Sequence, residues 1–301
     1  MNKYKTESPI LLLSFNRPEH TLKVFERIKE VQPPKLYISN DGPRPDHPTD
    51  KSRTQEIRDN LRSKVDWNCQ VEVLFQAENL GCKRAVRQAL SWFFSMEEQG
   101  IILEDDCVPN TSFFEFCDEL LIRFKEDTEI AMISGNGRYG MWDNGKQSYN
   151  FISYPMVWGW ASWRRTWKQY DSSFDQLPEL QSSKLPGLTD SSLDAKRFWN
   201  NIIRNLKNMN SWAYPFSLLC LSKGWKCVVP QKNLIENIGF DESATHRHEL
   251  DHFHAESISF PLIHPQDKRI NRSIQNAIER AEFYRYSIIK RIALRLKRLI
   301  K

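Results

Sequence analysis

A chain of 301 residues, 40% hydrophobic and 12% aromatic, can bury a substantial core and is too long for a minimal module. Its formal net charge of +5 is local: residues 285–301 hold seven Lys or Arg and no acid, leaving 36 basic against 38 acidic residues over 1–284. The body is therefore close to neutral, which argues against a nucleic-acid-binding surface spread over the fold. Six cysteines (Cys69, Cys82, Cys107, Cys117, Cys220 and Cys227) show neither a C-x-x-C pair nor zinc-ligand spacing, so reduced thiols in a cytoplasmic setting are expected. The amino-terminal apolar run over 10–13 is interrupted at Ser14 and Asn16, too soon for a signal-peptide core or a membrane span.

In chain order, residues 10–15 read as a buried first strand between Pro9 and Pro18. A helix is expected over 21–31, with Leu22, Phe25 and Ile28 on one period and Pro33-Pro34 as its stop. Residues 36–39 form a second strand ending at the turn Asn40-Asp41-Gly42-Pro43. A helix over 49–64, a strand over 69–75, a helix over 82–96 and a strand over 101–103 repeat the unit. The last of these strands runs into Glu104-Asp105-Asp106, followed by a helix that includes 113–124.

The second half is less regular. Residues 139–150 read as a loop, 156–167 hold four tryptophans, 171–192 form a connector, 198–209 a helix and 226–230 a strand. A final helix is expected over 271–301, giving a body over 1–270 and a basic amphipathic helix behind it.

Strands alternating with helices at this spacing imply an α/β fold with a doubly wound, mostly parallel sheet flanked by helices. Ligands of such sheets bind beyond the carboxyl ends of the strands. Arg17, Asp41 and the acidic triplet fall at three such ends. Taken alone, the triplet reads better as a solvated turn or as a cap, with Asp105 or Asp106 capping the following helix. At the end of an apolar strand it offers hard carboxylate ligands for a divalent cation and a phosphorylated ligand.

The motifs SFNRPEH (14–20), ISNDG (38–42), IILEDDCVPNTSFFEF (101–116), MWDNGK (141–146), VWGWASW (157–163) and PQKNLIENIGFDESATH (230–246) carry a family resemblance. In these pieces the chain resembles glycosyltransferases of the GT-A fold. It is similar to the N-acetylglucosaminyltransferase I family, which is inverting and metal-dependent, and to bacterial hemolysin-like sugar transferases. The resemblance runs over about residues 8–254. It implies a UDP-sugar donor, Mn2+ or Mg2+ as cofactor, and a glycan or lipid-linked acceptor. Arg17 and Asp41 would contact the nucleotide, Asp41 through the uracil. Asp105 would bind ribose hydroxyls and Asp106 the metal. His246 would be a phosphate donor or second metal ligand. The crowding of His246, His248, His252 and His254 reads as an exposed loop ahead of a separate metal site.

The chain departs from this family at one point. An inverting transfer needs a general base, which the family places as Asp just before a Trp. The matching stretch here, Asn208 to Trp212, holds no acid. Asp143, Glu104 and Asp194 are the candidates, with Asp143 first.

Trp158, Trp160 and Trp163 suit either stacking on sugar rings or plain packing, and Gly159 permits close backbone approach to a donor sugar. Ile288, Ile289, Ile292, Leu296, Leu299 and Ile300 form an apolar stripe in the basic tail. Such a helix fits an anionic membrane face, which would make the protein peripheral at the inner side. A helix docked on the protein's own core and a calmodulin-like partner are the alternatives. The rival functions are a sugar nucleotidyltransferase, which would need a Gly-rich loop where SFNRPEH stands, and a non-catalytic sugar-binding or membrane-active protein.

Overall fold

The computed structural model describes residues 4–143, 145–170, 181–239 and 253–283. The first strand, β1 (Ile10–Ser14), leads into α1 (Pro18–Val31), β2 (Lys35–Asn40), α2 (Asp50–Ser63), β3 (Gln70–Phe75), α3 (Cys82–Met96) and β4 (Gln99–Glu104). This stretch follows the expected elements. Helix α1 starts earlier than its apolar period suggests because Pro18 at its first turn has no N–H to leave unsatisfied. It ends with Gln32 in the left-handed region before Pro33, whose ring disfavours further helix.

Beyond β4 come β5 (Cys107–Pro109), α4 (Ser112–Arg123), β6 (Ile130–Ser134), β7 (Tyr149–Ile152), β8 (Trp160–Trp163), α5 (Arg164–Trp167), α6 (Leu193–Asn205), α7 (Ala213–Lys223), β9 (Lys226–Pro230), β10 (Ile235–Asn237) and α8 (Arg272–Ile278). Several of these lie where the sequence pattern shows no strand. The tryptophan-rich segment holds β8, and residues 149–150 belong to β7 rather than to a loop.

One eight-stranded sheet has the order β3-β2-β1-β4-β8-β6-β9-β7. Six strands run one way, while β8 and β7 oppose them. Strand residues alternate between its two faces. Leu11, Leu13 and Ile102 pack with Phe93, Phe198 and Phe216 of α3, α6 and α7. Ile10, Leu12 and Leu103 pack on the other side with Phe25, Ile57 and Phe113 of α1, α2 and α4. A small second sheet pairs β10 with β5, antiparallel.

The chain enters the sheet at β1, moves outward through β2 and β3, then returns to β4 on the other side of β1. That reversal leaves a crevice at the carboxyl ends of β1 and β4.

The described part of the last helix packs into the body rather than standing apart. Ile274, Ala277, Ile278 and Phe283 are buried, and Phe283 stacks on Phe198 at 4.5 Å. Glu279 accepts from Tyr154 Oη (2.7 Å) and from the Ser192 N–H (2.8 Å). Glu282 pairs with Arg138 and accepts from Tyr139 Oη (2.6 Å). The apolar stripe over 288–300 lies outside the described residues. Among those described, no helix is long and apolar enough to cross a membrane.

Candidate active site

The acidic triplet caps no helix. β5 follows it directly, and α4 starts only at Ser112, where the Asn110 side chain accepts from the Ser112 N–H (3.1 Å). Asp105 and Asp106 instead form the turn between β4 and β5. β10 holds this turn, with the Ile238 N–H donating to the Asp106 carbonyl at 2.9 Å. Gly239 lies so close that a Cβ there would overlap Asp106 Oδ2.

Across the crevice, the turn after β1 meets this one. The Phe15 N–H donates to Asp105 Oδ2 at 3.3 Å, and Arg17 Nη1 lies 3.3 Å from Asp106 Oδ2. Arg17, Asp105 and Asp106 are therefore brought together as the strand-end argument expects.

Three adjacent carboxylates with one nearby cation repel one another. Burial, then the charges of Asp106 and Asp105, push the Glu104 carboxyl up to about 8, and an N–H from Trp212 partly offsets this. Burial and Asp106 raise Asp105 to about 7 against the opposing pull of Arg17 and the Phe15 N–H. Both shifts follow from putting like charges in a partly desolvated turn.

Asp41 stands just past β2 and is nearly buried. Its carboxylate accepts from the N–H groups of Gly42 (2.8 Å), Leu80 (2.9 Å) and Gly81 (3.1 Å) and from Asn79 Nδ2 (2.9 Å). It thus pins the loop before α3 to the end of β2. Gly81, with φ 76°, takes a conformation that side chains rarely adopt.

Three residues join this site that sequence reasoning did not assign to it. Cys82 opens α3, where desolvation and then the Glu104 charge push its thiol up to about 11. Asn210 Oδ1 accepts from the Lys83 N–H at 3.1 Å. Trp212 is buried beside Glu104 and stacks on Trp160 with centroids 5.6 Å apart. The only signal for the last two in the sequence is the resemblance's Asp-Trp position, where the acid is missing.

Other candidates lie elsewhere. The Asp143 side chain accepts from Gln147 Nε2 (2.8 Å), and its carbonyl accepts from Gln231 Nε2 (2.6 Å) beside the end of β9. β9 lies three strand positions from β4, on the order of 14 Å at standard strand spacing. Asp194 sits in the first turn of α6, 3.1 Å from Arg197. His246, His248 and His252 lie outside the described residues; His254 is 3.2 Å from Glu236.

Trp160 and Trp163 are 1% and 2% exposed, so they pack and offer no face to a sugar. Trp163 donates its indole N–H to the Leu121 carbonyl at 3.2 Å. The Trp158 ring is covered by the Arg138 guanidinium at 4.3 Å. Gly159, with φ 57°, makes room for Ile235 of β10: a Cβ would overlap that side chain. Its close approach therefore serves the joint between the two sheets.

Among the described residues, no three His, Cys, Asp or Glu groups converge as a preformed metal cage. A cavity lined by Lys5, Gln32, Pro34 and Trp67 lies at the amino ends of β1–β3, away from this chemistry.

No family model matches the chain, and no curated protein is similar to it in sequence. Among solved structures, it is similar to HddC from Yersinia pseudotuberculosis. The two are 11% identical, with 57% of this chain and 86% of that chain covered and a TM-score of 0.34. A likeness this loose bears on neither activity nor substrate.

Proposed function

We propose that this chain is a metal-dependent inverting glycosyltransferase of the GT-A kind, moving a sugar from a UDP-sugar to a glycan or lipid-linked acceptor. The observation that carries this reading is the crevice where strand order reverses. There Arg17 meets Asp106, and the Phe15 N–H meets Asp105, on a turn that caps no helix.

The donor set suits a hard divalent cation, Mn2+ or Mg2+. Such ions are commonly held by one or two carboxylates, with phosphate oxygens and water completing the shell. Held by Asp106, the cation would neutralise charge growing on the diphosphate as the sugar leaves. Arg17 is within reach of the same phosphates, and Asp105 is assigned to a ribose hydroxyl. Asp41 contributes by fixing the wall against which the uracil lies, since its own oxygens are taken by four N–H groups. His246 keeps the role its motif implies, as a phosphate donor or second ligand.

Glu104 is preferred to Asp143 as the base. It ends β4 at the crevice, directly before the Asp105-Asp106 turn, whereas Asp143 lies beside the end of β9. Its carboxylate takes the acceptor hydroxyl proton as that oxygen bonds the anomeric carbon and the sugar–phosphate bond breaks. The missing acid before Trp212 favours one second reading, a protein that binds a sugar nucleotide without turning it over.

Incubation with a panel of sugar nucleotides and Mn2+ separates these readings. Slow release of UDP from at least one donor, lost in Glu104→Gln, is expected of the transferase. Binding without release in any condition would favour the second reading, and formation of sugar 1-phosphate and UTP when pyrophosphate is added would favour a nucleotidyltransferase. Contact between residues 284–301 and an anionic cytoplasmic membrane face remains part of the proposal. Deleting 285–301 should abolish co-sedimentation with anionic liposomes, and retained sedimentation would refute it.

A further inference from the structure

Two loops that flank the crevice are tied together by one buried carboxylate. Asp50, the first residue of α2, is 1% exposed. It accepts from Asn16 Nδ2 at 2.7 Å in the loop after β1. From the loop after β2 it accepts the Arg44 backbone N–H (3.2 Å), Nε (2.7 Å) and Nη2 (3.1 Å). Asn16 lies between Phe15 and Arg17, which both touch the acidic triplet.

Arg44 in turn stands over the Phe15 ring, with its Cζ 5.3 Å from the centroid. Phe15 is therefore held on its backbone by Asp105 and on its ring by Arg44. The Arg44 side chain remains 40% exposed, and its Nη1 is not among the atoms that Asp50 binds.

A part-exposed arginine is ordinarily mobile and contributes little. This one is fixed twice, by a two-pronged carboxylate pair and by an aromatic face. Burying a carboxylate to hold it carries a desolvation penalty that an apolar pair would avoid. Such fixing is what a binding group needs if it is to meet its ligand without losing side-chain freedom. A guanidinium carries only donors, so its ligand atoms are oxygens of a phosphate or of a base or ribose.

The geometry points to Arg44 as a nucleotide-contacting residue, with Asp50 as the positioning residue that presents it. This rests on the nucleotide reading above. Phe15 supplies the floor, and Arg44 lies on the β2 side of the crevice, opposite the Asp106 turn on the β4 side.

Calorimetry with UDP and with uridine, in the presence of Mn2+, tests it on the full chain and on Arg44→Ala, Arg44→Lys, Asp50→Asn and the Arg44→Ala/Asp50→Asn double variant. Arg44→Ala is expected to weaken UDP binding about ten- to a hundredfold, as for loss of a charge-assisted hydrogen bond. Arg44→Lys should recover only part of that loss, because it keeps the charge but not the planar fork. Asp50→Asn should reproduce most of it, and the double variant should lose no more than Arg44→Ala alone, since the two act as one unit.

An equal loss for uridine assigns the contact to base or ribose oxygens, and a loss confined to UDP assigns it to phosphate. Either result supports the inference. A folded Arg44→Ala or Arg44→Lys that binds UDP as tightly as the parent chain overturns it and leaves the nucleotide reading standing. Failure of the parent chain to bind UDP removes both.

Discussion

The crevice has two walls of different origin. One is made by the ends of β1, β2 and β4, three strands of a regular repeat, each carrying its polar group one to three residues past the strand. The other is made by residues 210, 212 and 235–239, which arrive from the irregular half and fasten the first wall from outside. Trp212 lies beside Glu104, Asn210 accepts from the Lys83 N–H in the first turn of α3, and β10 holds the Asp106 turn. The first wall supplies the charges, and the second sets their environment. A fold can thus carry a legible binding motif whose chemistry is tuned by segments that show no motif at all.

Breaking the second wall should have the largest effect on stability. Trp212→Ala removes a buried indole stacked on Trp160, and a loss of about 3–5 kcal/mol is expected for such a change. Thermal melting should fall by on the order of 10 °C. Trp212→Phe, which keeps a ring but not the N–H, should melt closer to the parent and still lose UDP release. If Trp212→Phe melts normally and turns over normally, the wall is scaffolding only.

A smaller effect separates charge from packing. Glu104 and Asp105 have carboxyls raised above their unfolded values, so the folded chain binds more protons than the unfolded one over about pH 4.5–8. Stability should therefore fall as pH rises through that window and level off above it. Melting curves from pH 5 to 8 should show the decline. Glu104→Gln should flatten it and raise the pH 8 melting temperature by on the order of 5 °C. An equally steep decline in Glu104→Gln would place the strain elsewhere.

The smallest stability change is expected in the first wall. The Arg17–Asp106 pair is part-exposed, so Arg17→Gln should shift melting by no more than about 1 kcal/mol while weakening UDP binding. Unchanged UDP affinity would remove Arg17 from the site.

The first wall was readable because its strands alternate cleanly with helices, and parallel topology then forces Arg17, Asp41 and Asp105-Asp106 to one edge. The role of Asp41 was legible only in part: its N-D-G-P setting marks a turn, but nothing local shows that loop 79–81 would occupy its oxygens. The tryptophans divided for a similar reason. Whether Trp160 and Trp163 face ligand or core depends on β8 running antiparallel between β4 and β6, a pairing of residues far apart in the chain. Asp143 ranks first as a base in the sequence because it adjoins Trp142 in a polar loop. Glu104 stands second to it in the sequence, because nothing local shows that Trp212 comes to lie beside the end of β4.

The central claim is that the β1/β4 crevice binds a nucleotide diphosphate through a cation on Asp106. Calorimetry of UDP with and without Mn2+, on the parent chain and on Asp106→Ala, tests it most directly. The account predicts binding that requires the metal and a loss of at least about tenfold in Asp106→Ala. Binding that ignores Mn2+, or that survives Asp106→Ala unchanged, would contradict it.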